Sequence, residues 1–184
     1  MRVISGTAKG RRLRSVPGDS TRPITDRVKE ALFDIIGADV LDSNWWDLFA
    51  GTGAVGIEAL SRGAAFTRLT DLHRVPLEII RANLAATDLL ARAEVRRADA
   101  IALLAEPPDR AFEYIYVAPP QYKEMWARAM TNLAANLNWI AADGWIIVQL
   151  DPKEYRPQKF GGLEQFDQRK YGTTSLVFYA RRET

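Results

Sequence analysis

From about Asn44 to Leu150 the chain alternates short apolar runs with segments of helical periodicity, and that alternation limits the fold more than any other feature. Residues 45–50, 66–70, 93–97, 112–117 and 145–150 have the length and the β-branched or aromatic content of strands. The segments between them predict helices over 53–62, from Pro76 to Ala86, over 101–104 and over 124–142, the last closed by Asp143-Gly144. Such repetition implies a parallel sheet with helices on both faces. The end of the chain differs. Residues 163–171 and 175–181 flank Gly172-Thr173-Thr174 with no helix between them, which predicts an antiparallel hairpin at the end of the sheet.

The N-terminal part carries its own signals. Residues 3–5 and 11–16 flank a turn at 6–10 and predict a small β-hairpin. Pro17, Gly18 and Pro23 mark a loop. Thr25 then caps a helix in which Val28, Ala31, Leu32, Ile35 and Ile36 recur at helical spacing, ended by Gly37. Residues 1–18 hold Arg2, Lys9, Arg11, Arg12 and Arg14 and no acid, although the whole chain nets only +2. Arg169, Lys170, Arg181 and Arg182 form a second basic group. Unbalanced basic residues among Ser, Thr and Gly suit a phosphate backbone as well as they suit a solvated surface. The expected organisation is a basic hairpin extension over 1–18 and a single domain over 19–184.

Composition removes several classes of chemistry. The chain has no Cys, hence no disulfide, zinc-thiolate site or cysteine nucleophile. Its one His, His73, argues against a His-rich metal site or a triad, and no metal is expected. No run of about 18 apolar residues and no signal pattern occurs, so a soluble, cytoplasmic protein without membrane association is expected. We also expect a monomer.

The strongest local signal is DLFAGTGAVGIEALSRGA, residues 47–64, in which G-T-G-A-V-G joins a strand to a helix. Glycines there permit a tight turn and close approach of a ligand to backbone. A dinucleotide site usually follows a wholly apolar strand, whereas Asp47 interrupts this one just before the glycines. A carboxylate so placed suits a cationic group such as the amino group in the tail of S-adenosylmethionine. Asp71 ends the second strand at the spacing where a carboxylate takes ribose hydroxyls, a feature shared with NAD sites. Asp99 follows the third strand, where an acid can accept from an adenine amino group. Singly, each acid also fits a surface or capping residue. Three acids at the carboxyl ends of three successive strands point to a ligand, because open α/β sheets bind ligands there.

These stretches, with MRVISGTAKGRRL, RPITDRVKEALFDII and RKYGTTSLVFY, resemble the bacterial 16S ribosomal RNA guanine-N2 methyltransferases, a class I group dependent on S-adenosylmethionine. The resemblance covers nearly the whole chain. It implies an α/β, Rossmann-like, seven-stranded sheet with an antiparallel C-terminal strand and a basic N-terminal hairpin. It implies ribosomal RNA or the assembling small subunit as partner. By position, Asp47, Phe49, Gly51, Gly53 and Gly56 match the cofactor loop, Asp71 the acid on the ribose and Asp99 the acid near the adenine. Arg22, Thr25 and Arg27 match a segment lining the substrate side, and Arg11, Arg12 and Arg14 belong to the RNA-facing hairpin.

One motif departs from the family. Its loop after the fourth strand is usually Asp or Asn, Pro, Pro, then Tyr or Phe. Here the loop is Ala118-Pro119-Pro120-Gln121-Tyr122. The lone pair of a guanine N2 amine is delocalised into the ring, so the nitrogen must be held in line and its hydrogens met by acceptors. Alanine offers no side-chain acceptor. Three readings follow: an unchanged target, with the Ala118 or Pro119 carbonyl or the Gln121 amide as acceptor; a different base or atom; or binding of RNA and cofactor without catalysis.

Overall fold

The computed structural model describes residues 1–18, 23–121 and 124–183. The chain forms α1 (Asp26–Ile36), β1 (Asn44–Asp47), α2 (Ala54–Ser61), β2 (Phe66–Asp71), α3 (Arg74–Ala86) and β3 (Ala93–Arg97). It continues with α4 (Ala100–Leu104), β4 (Phe112–Val117), α5 (Met125–Ala135), β5 (Ile140–Leu150), β6 (Leu163–Tyr171) and β7 (Thr174–Arg181). One seven-stranded sheet has the order β3-β2-β1-β4-β5-β7-β6. The first five strands pair in parallel. β7 runs antiparallel to both β5 and β6. The chain builds outward from β1 to β3, then returns to lay β4 on the other side of β1. That reversal opens a crevice at the carboxyl ends of β1 and β4, where a doubly wound sheet binds ligands.

Burial on both faces explains the apolar runs. Trp45 faces one side, between Phe33 of α1 and Tyr114 of β4, with ring centroids 5.2 and 4.8 Å away. Trp46 faces the other, 5.1 Å from Phe112 and 4.7 Å from Trp139, and its indole N–H donates to Thr70 Oγ1 at 2.9 Å. Both tryptophans are fully buried.

The long helix predicted over 124–142 stops early. α5 ends at Ala135 because Asn136 leaves helical geometry (φ −139°, ψ 63°) and donates its side-chain amide to the Glu106 carbonyl at 2.9 Å. Residues 137–139 make one 3₁₀ turn, and Ile140 already pairs with Phe112 in β5. Asp143-Gly144, expected as a helix stop, lies inside a strand. A side chain at Gly144 would put its Cβ 2.9 Å from the Phe112 carbonyl oxygen.

No strand forms over 3–5 or 11–16, so the predicted hairpin is reduced to a basic loop closed by one antiparallel bridge between Arg2 and Arg12. Its turn is sewn to α2. The amides of Ile4 and Ser5 donate to the two carboxylate oxygens of Glu58 at 2.9 and 3.0 Å, and the Thr7 amide donates to the Ser61 carbonyl at 2.8 Å. Gly6 sits at φ +85° with Ser61 O only 1.8 Å from where a Cβ would be, so no other residue fits there. Glu58 also meets Lys29 Nζ at 3.2 Å and Arg62 Nε at 2.9 Å, and the Lys29 and Glu58 side chains have no solvent exposure. Burial pushes the Lys29 amine below the ordinary lysine value, against the pull of Glu58. Val3, Ala8 and Leu13 join the core that α1 and α2 share. Among the described residues no helix is long and apolar enough to cross a membrane.

Candidate active site

The carboxyl ends of the strands enclose a cavity of about 1040 Å³. Asp47, Asp71 and Asp99 stand on its wall with Phe49 and Gly51, and Ala118, Pro119, Pro120 and Gln121 share the same space. The three acids and the loop after β4 are therefore parts of one site.

Asp47 is its most deeply buried charge. Oδ2 accepts from the Gly56 amide at 3.3 Å, while Oδ1 is buried with no hydrogen-bond partner among the described residues. Burial raises the carboxyl from 3.8 to about 7; the Gly56 amide opposes the rise and Asp71 adds to it. A buried acceptor without a donor is costly. At a cavity wall a cationic donor from a ligand would satisfy it, a requirement that an amino group such as that of S-adenosylmethionine would fit.

The glycines divide their work. Gly51 (φ +56°) lies on the cavity wall, and its amide donates to Asp71 Oδ2 at 3.1 Å. Gly53 (φ +79°) caps α2. At Gly56 a Cβ would lie 2.7 Å from Thr67 Cγ2. Gly53 and Gly56 thus seat α2 against β2 off the cavity wall, and the Gly56 amide holds the Asp47 carboxylate. Asp71 bridges the glycine loop to the next turn, since Oδ1 accepts from the His73 amide at 3.0 Å. His73 is exposed on the cavity rim. Asp99 is both a cap and a wall residue: Oδ1 accepts from the Ile101 and Ala102 amides at 2.9 and 3.1 Å.

None of the RNA-facing candidates Arg11, Arg12, Arg14, Thr25 and Arg27 lines the cavity. Arg11, Arg12, Arg14 and Arg27 are exposed or partly exposed. Thr25 Oγ1 caps α1 by accepting from the Val28 amide at 3.3 Å, while Pro23 and Ile24 line the cavity. Arg22 and Tyr122 lie outside the described residues. The basic segment is tied to the cofactor side through Asn83 of α3. Asn83 Oδ1 accepts from the Arg14 amide at 2.7 Å, and Nδ2 donates to the carbonyls of Arg14 at 3.1 Å and of Thr52, in the glycine loop, at 2.9 Å. Ser15, Val16 and Gly18 then form part of the cavity wall.

Sequence reasoning missed Tyr116 and Gln149. Both are buried on the wall, and the Tyr116 hydroxyl donates to Gln149 Oε1. Burial and the neighbouring Asp47 push the phenol well above its usual value. The available signal was a lone amide closing the apolar run Trp145-Ile146-Ile147-Val148-Gln149, which a search for charges passes over. Among the described residues no group of three or more His, Cys, Asp or Glu could hold a metal ion.

A family model described as "Conserved hypothetical protein 95" matches residues 1–180. The chain is 38% identical over 184 residues to "Putative rRNA methyltransferase YlbH" of Bacillus subtilis strain 168, covering 99% of this chain and 100% of that one. It is 32% identical over 157 residues to "Ribosomal RNA small subunit methyltransferase D" of Escherichia coli K12, covering 85% and 78%. Among solved structures, "Putative methyltransferase yhhF from Escherichia coli" superposes with a TM-score of 0.87 at 30% identity, covering 98% of this chain and 97% of that one. An α/β sheet with an antiparallel strand near its end, a glycine loop with its orphaned acid and these likenesses agree: the chain belongs to the Conserved hypothetical protein 95 family and, with its relatives, to the ribosomal RNA methyltransferases.

Proposed function

We propose that the chain methylates the exocyclic N2 amine of a guanine in small-subunit ribosomal RNA. The observation that carries this reading is the shared cavity, with the three cofactor acids on one part of its wall and Ala118–Gln121 on another. The names of the relatives, which specify ribosomal RNA and, for one, the small subunit, support the substrate class.

Asp47 pairs with the cofactor's amino group, Asp71 with its ribose and Asp99 with its adenine. Bound there, S-adenosylmethionine would supply an electrophilic methyl on a sulfonium for the amine nitrogen. The chain's own task is to fix the amine in line, meet its hydrogens and exclude water. Pro119 and Pro120 stiffen the loop because each ring fixes φ. A base lifted from its stack needs an aromatic face, and Tyr122 provides it. Arg11, Arg12, Arg14, Arg22, Thr25 and Arg27 hold the surrounding RNA, with 1–18 as the basic extension of the methyltransferase domain.

Mass mapping of modified nucleotides in small-subunit RNA, from cells with and without this chain, tests the reading. One N2-methylguanine should vanish with the protein; an unchanged map would sink the substrate assignment. Ala118 favours a second reading, methylation of another base, and the same map would expose it as a different missing nucleotide.

The basic extension makes a separate prediction. Changing Arg11, Arg12 and Arg14 to Gln should weaken RNA binding and reduce the log–log salt slope by roughly 2–3, at about 0.7–0.9 for each phosphate no longer neutralised. Fluorescence anisotropy over a salt series from about 50 to 200 mM checks this, and an unaltered slope removes the hairpin from the interface.

A further inference from the structure

Ala118 lacks the side chain that would meet the amine's hydrogens, yet the adjoining strand brings an amide to that place. Val117 of β4 pairs with Val148 of β5. One step further toward the cavity, Ala118 and Gln149 are therefore neighbours across the two strands. Neighbouring strands lie about 4.8 Å apart, a gap that a glutamine side chain can cross. Gln149 does lean across it, because its Oε1 accepts from the hydroxyl of Tyr116, which belongs to β4. Tyr116 precedes Ala118 by two residues and points to the same face of the sheet, since side chains alternate along a strand. Gln149 is only 9% exposed and lines the same cavity as Ala118 and Pro119.

In this pair Tyr116 donates its hydroxyl and the glutamine oxygen accepts. A carbonyl oxygen carries two lone pairs, of which the phenol engages one. Gln121 also carries an amide, but it stands half-buried on the loop, whereas Gln149 is held on the sheet.

We infer that Gln149 Oε1, fixed by Tyr116, accepts a hydrogen of the substrate amine and supplies from β5 the acceptor that Asp or Asn would supply at position 118. The assignment rests on the exocyclic-amine reading of the function. It makes the alanine loop a relocated site: the acceptor has moved one strand across the sheet, and a small residue at 118 leaves room for it. Gln149 takes no proton; it orients the amine and leaves the nitrogen lone pair directed at the incoming methyl.

Two variants test this by transfer of tritiated methyl to small-subunit RNA at saturating cofactor, with S-adenosylhomocysteine affinity measured by calorimetry. Gln149→Met removes the acceptor at nearly constant length. Gln149→Met combined with Tyr116→Phe does the same without leaving a buried hydroxyl unpaired, which guards against misfolding. Each should lower the saturated rate by about 10²-fold, with cofactor affinity within about twofold of the parent. Adding Ala118→Asn should return at least about tenfold of that loss, by placing an amide in the loop after β4. An undiminished rate, a parallel loss of cofactor affinity, or no recovery on adding Ala118→Asn would each overturn the assignment. Nucleoside analysis of the parent protein's product separates the two layers. A methylated amine other than guanine N2 overturns the guanine reading alone, because any exocyclic amine needs the same acceptor. A parent protein that transfers no methyl overturns both.

Discussion

Asp47→Asn is expected to make the unliganded protein more stable and a far poorer cofactor binder. The folded chain holds the Asp47 proton up to about pH 7, whereas an unfolded carboxyl releases it near 3.8. The folded state therefore binds more protons between those values, and stability falls as pH rises from about 4 to 7. At about 1.36 kcal/mol per pH unit the accumulated cost above pH 7 approaches ~4 kcal/mol. Asparagine carries no such cost. Urea denaturation across that range should show the variant's advantage growing from about pH 4 and levelling off above about 7. Cofactor binding should move the other way. Losing one partner of a buried charge pair costs about 2–5 kcal/mol, so the dissociation constant for S-adenosylhomocysteine should rise by roughly 10²-fold or more. In the parent protein that affinity should strengthen as pH climbs through about 7, when Asp47 ionises without help. A variant that binds within about threefold of the parent would remove Asp47 from the cofactor's contacts.

Glu58→Ala should cost more stability than any other single change at the N-terminal interface. Its carboxylate satisfies the Ile4 and Ser5 amides, the Lys29 ammonium and the Arg62 guanidinium. Removing it leaves a fully buried lysine without its counter-ion, held only through its bond to the Arg2 carbonyl at 2.6 Å among the described hydrogen bonds, and a broken buried pair typically costs about 3–5 kcal/mol. At about 2–4 °C per kcal/mol for a domain of this size, the melting temperature should fall by roughly 10 °C or more. The double change Lys29→Met, Glu58→Gln takes away both charges, and most of the loss should return. If the double variant stays as unstable as Glu58→Ala, the tether to the hairpin backbone, and not the orphaned ammonium, carries the effect. Calorimetric melts of the three proteins decide between these outcomes.

The elements most legible in the sequence are those whose pattern is local. The strands at 66–70, 93–97 and 112–117, the cap at Thr25 and the glycine turn all appear where turn chemistry and apolar periodicity put them. The boundary between α5 and β5 was not legible because the deciding contacts are distant. Leu137, Trp139 and Ile140 continue an apolar pattern that a helix could use, and the carbonyls of Glu106 and Leu104 and the edge of Phe112 pull Asn136, Trp139 and Ile140 out of it. The site shows the same division. Asp47, Asp71 and Asp99 announce themselves as acids at strand ends. Glu58 and Lys29 read as ordinary charges on helices, and nothing in the sequence brings them together with the backbone of residues 4 and 5. Gln149 matters only because the register of β4 and β5 places it beside Ala118, and register is a tertiary property.

The position of β7 has a consequence for how the protein is made. β7 is the last of the seven strands to leave the ribosome, yet it lies inside the sheet, between β5 and β6. Until residues 174–181 emerge, β6 has no partner in the sheet and the edge of β5 is bare. Thr174, at the start of β7, is also part of the cavity wall. A nascent chain thus has its glycine loop and its three acids well before it has a closed pocket.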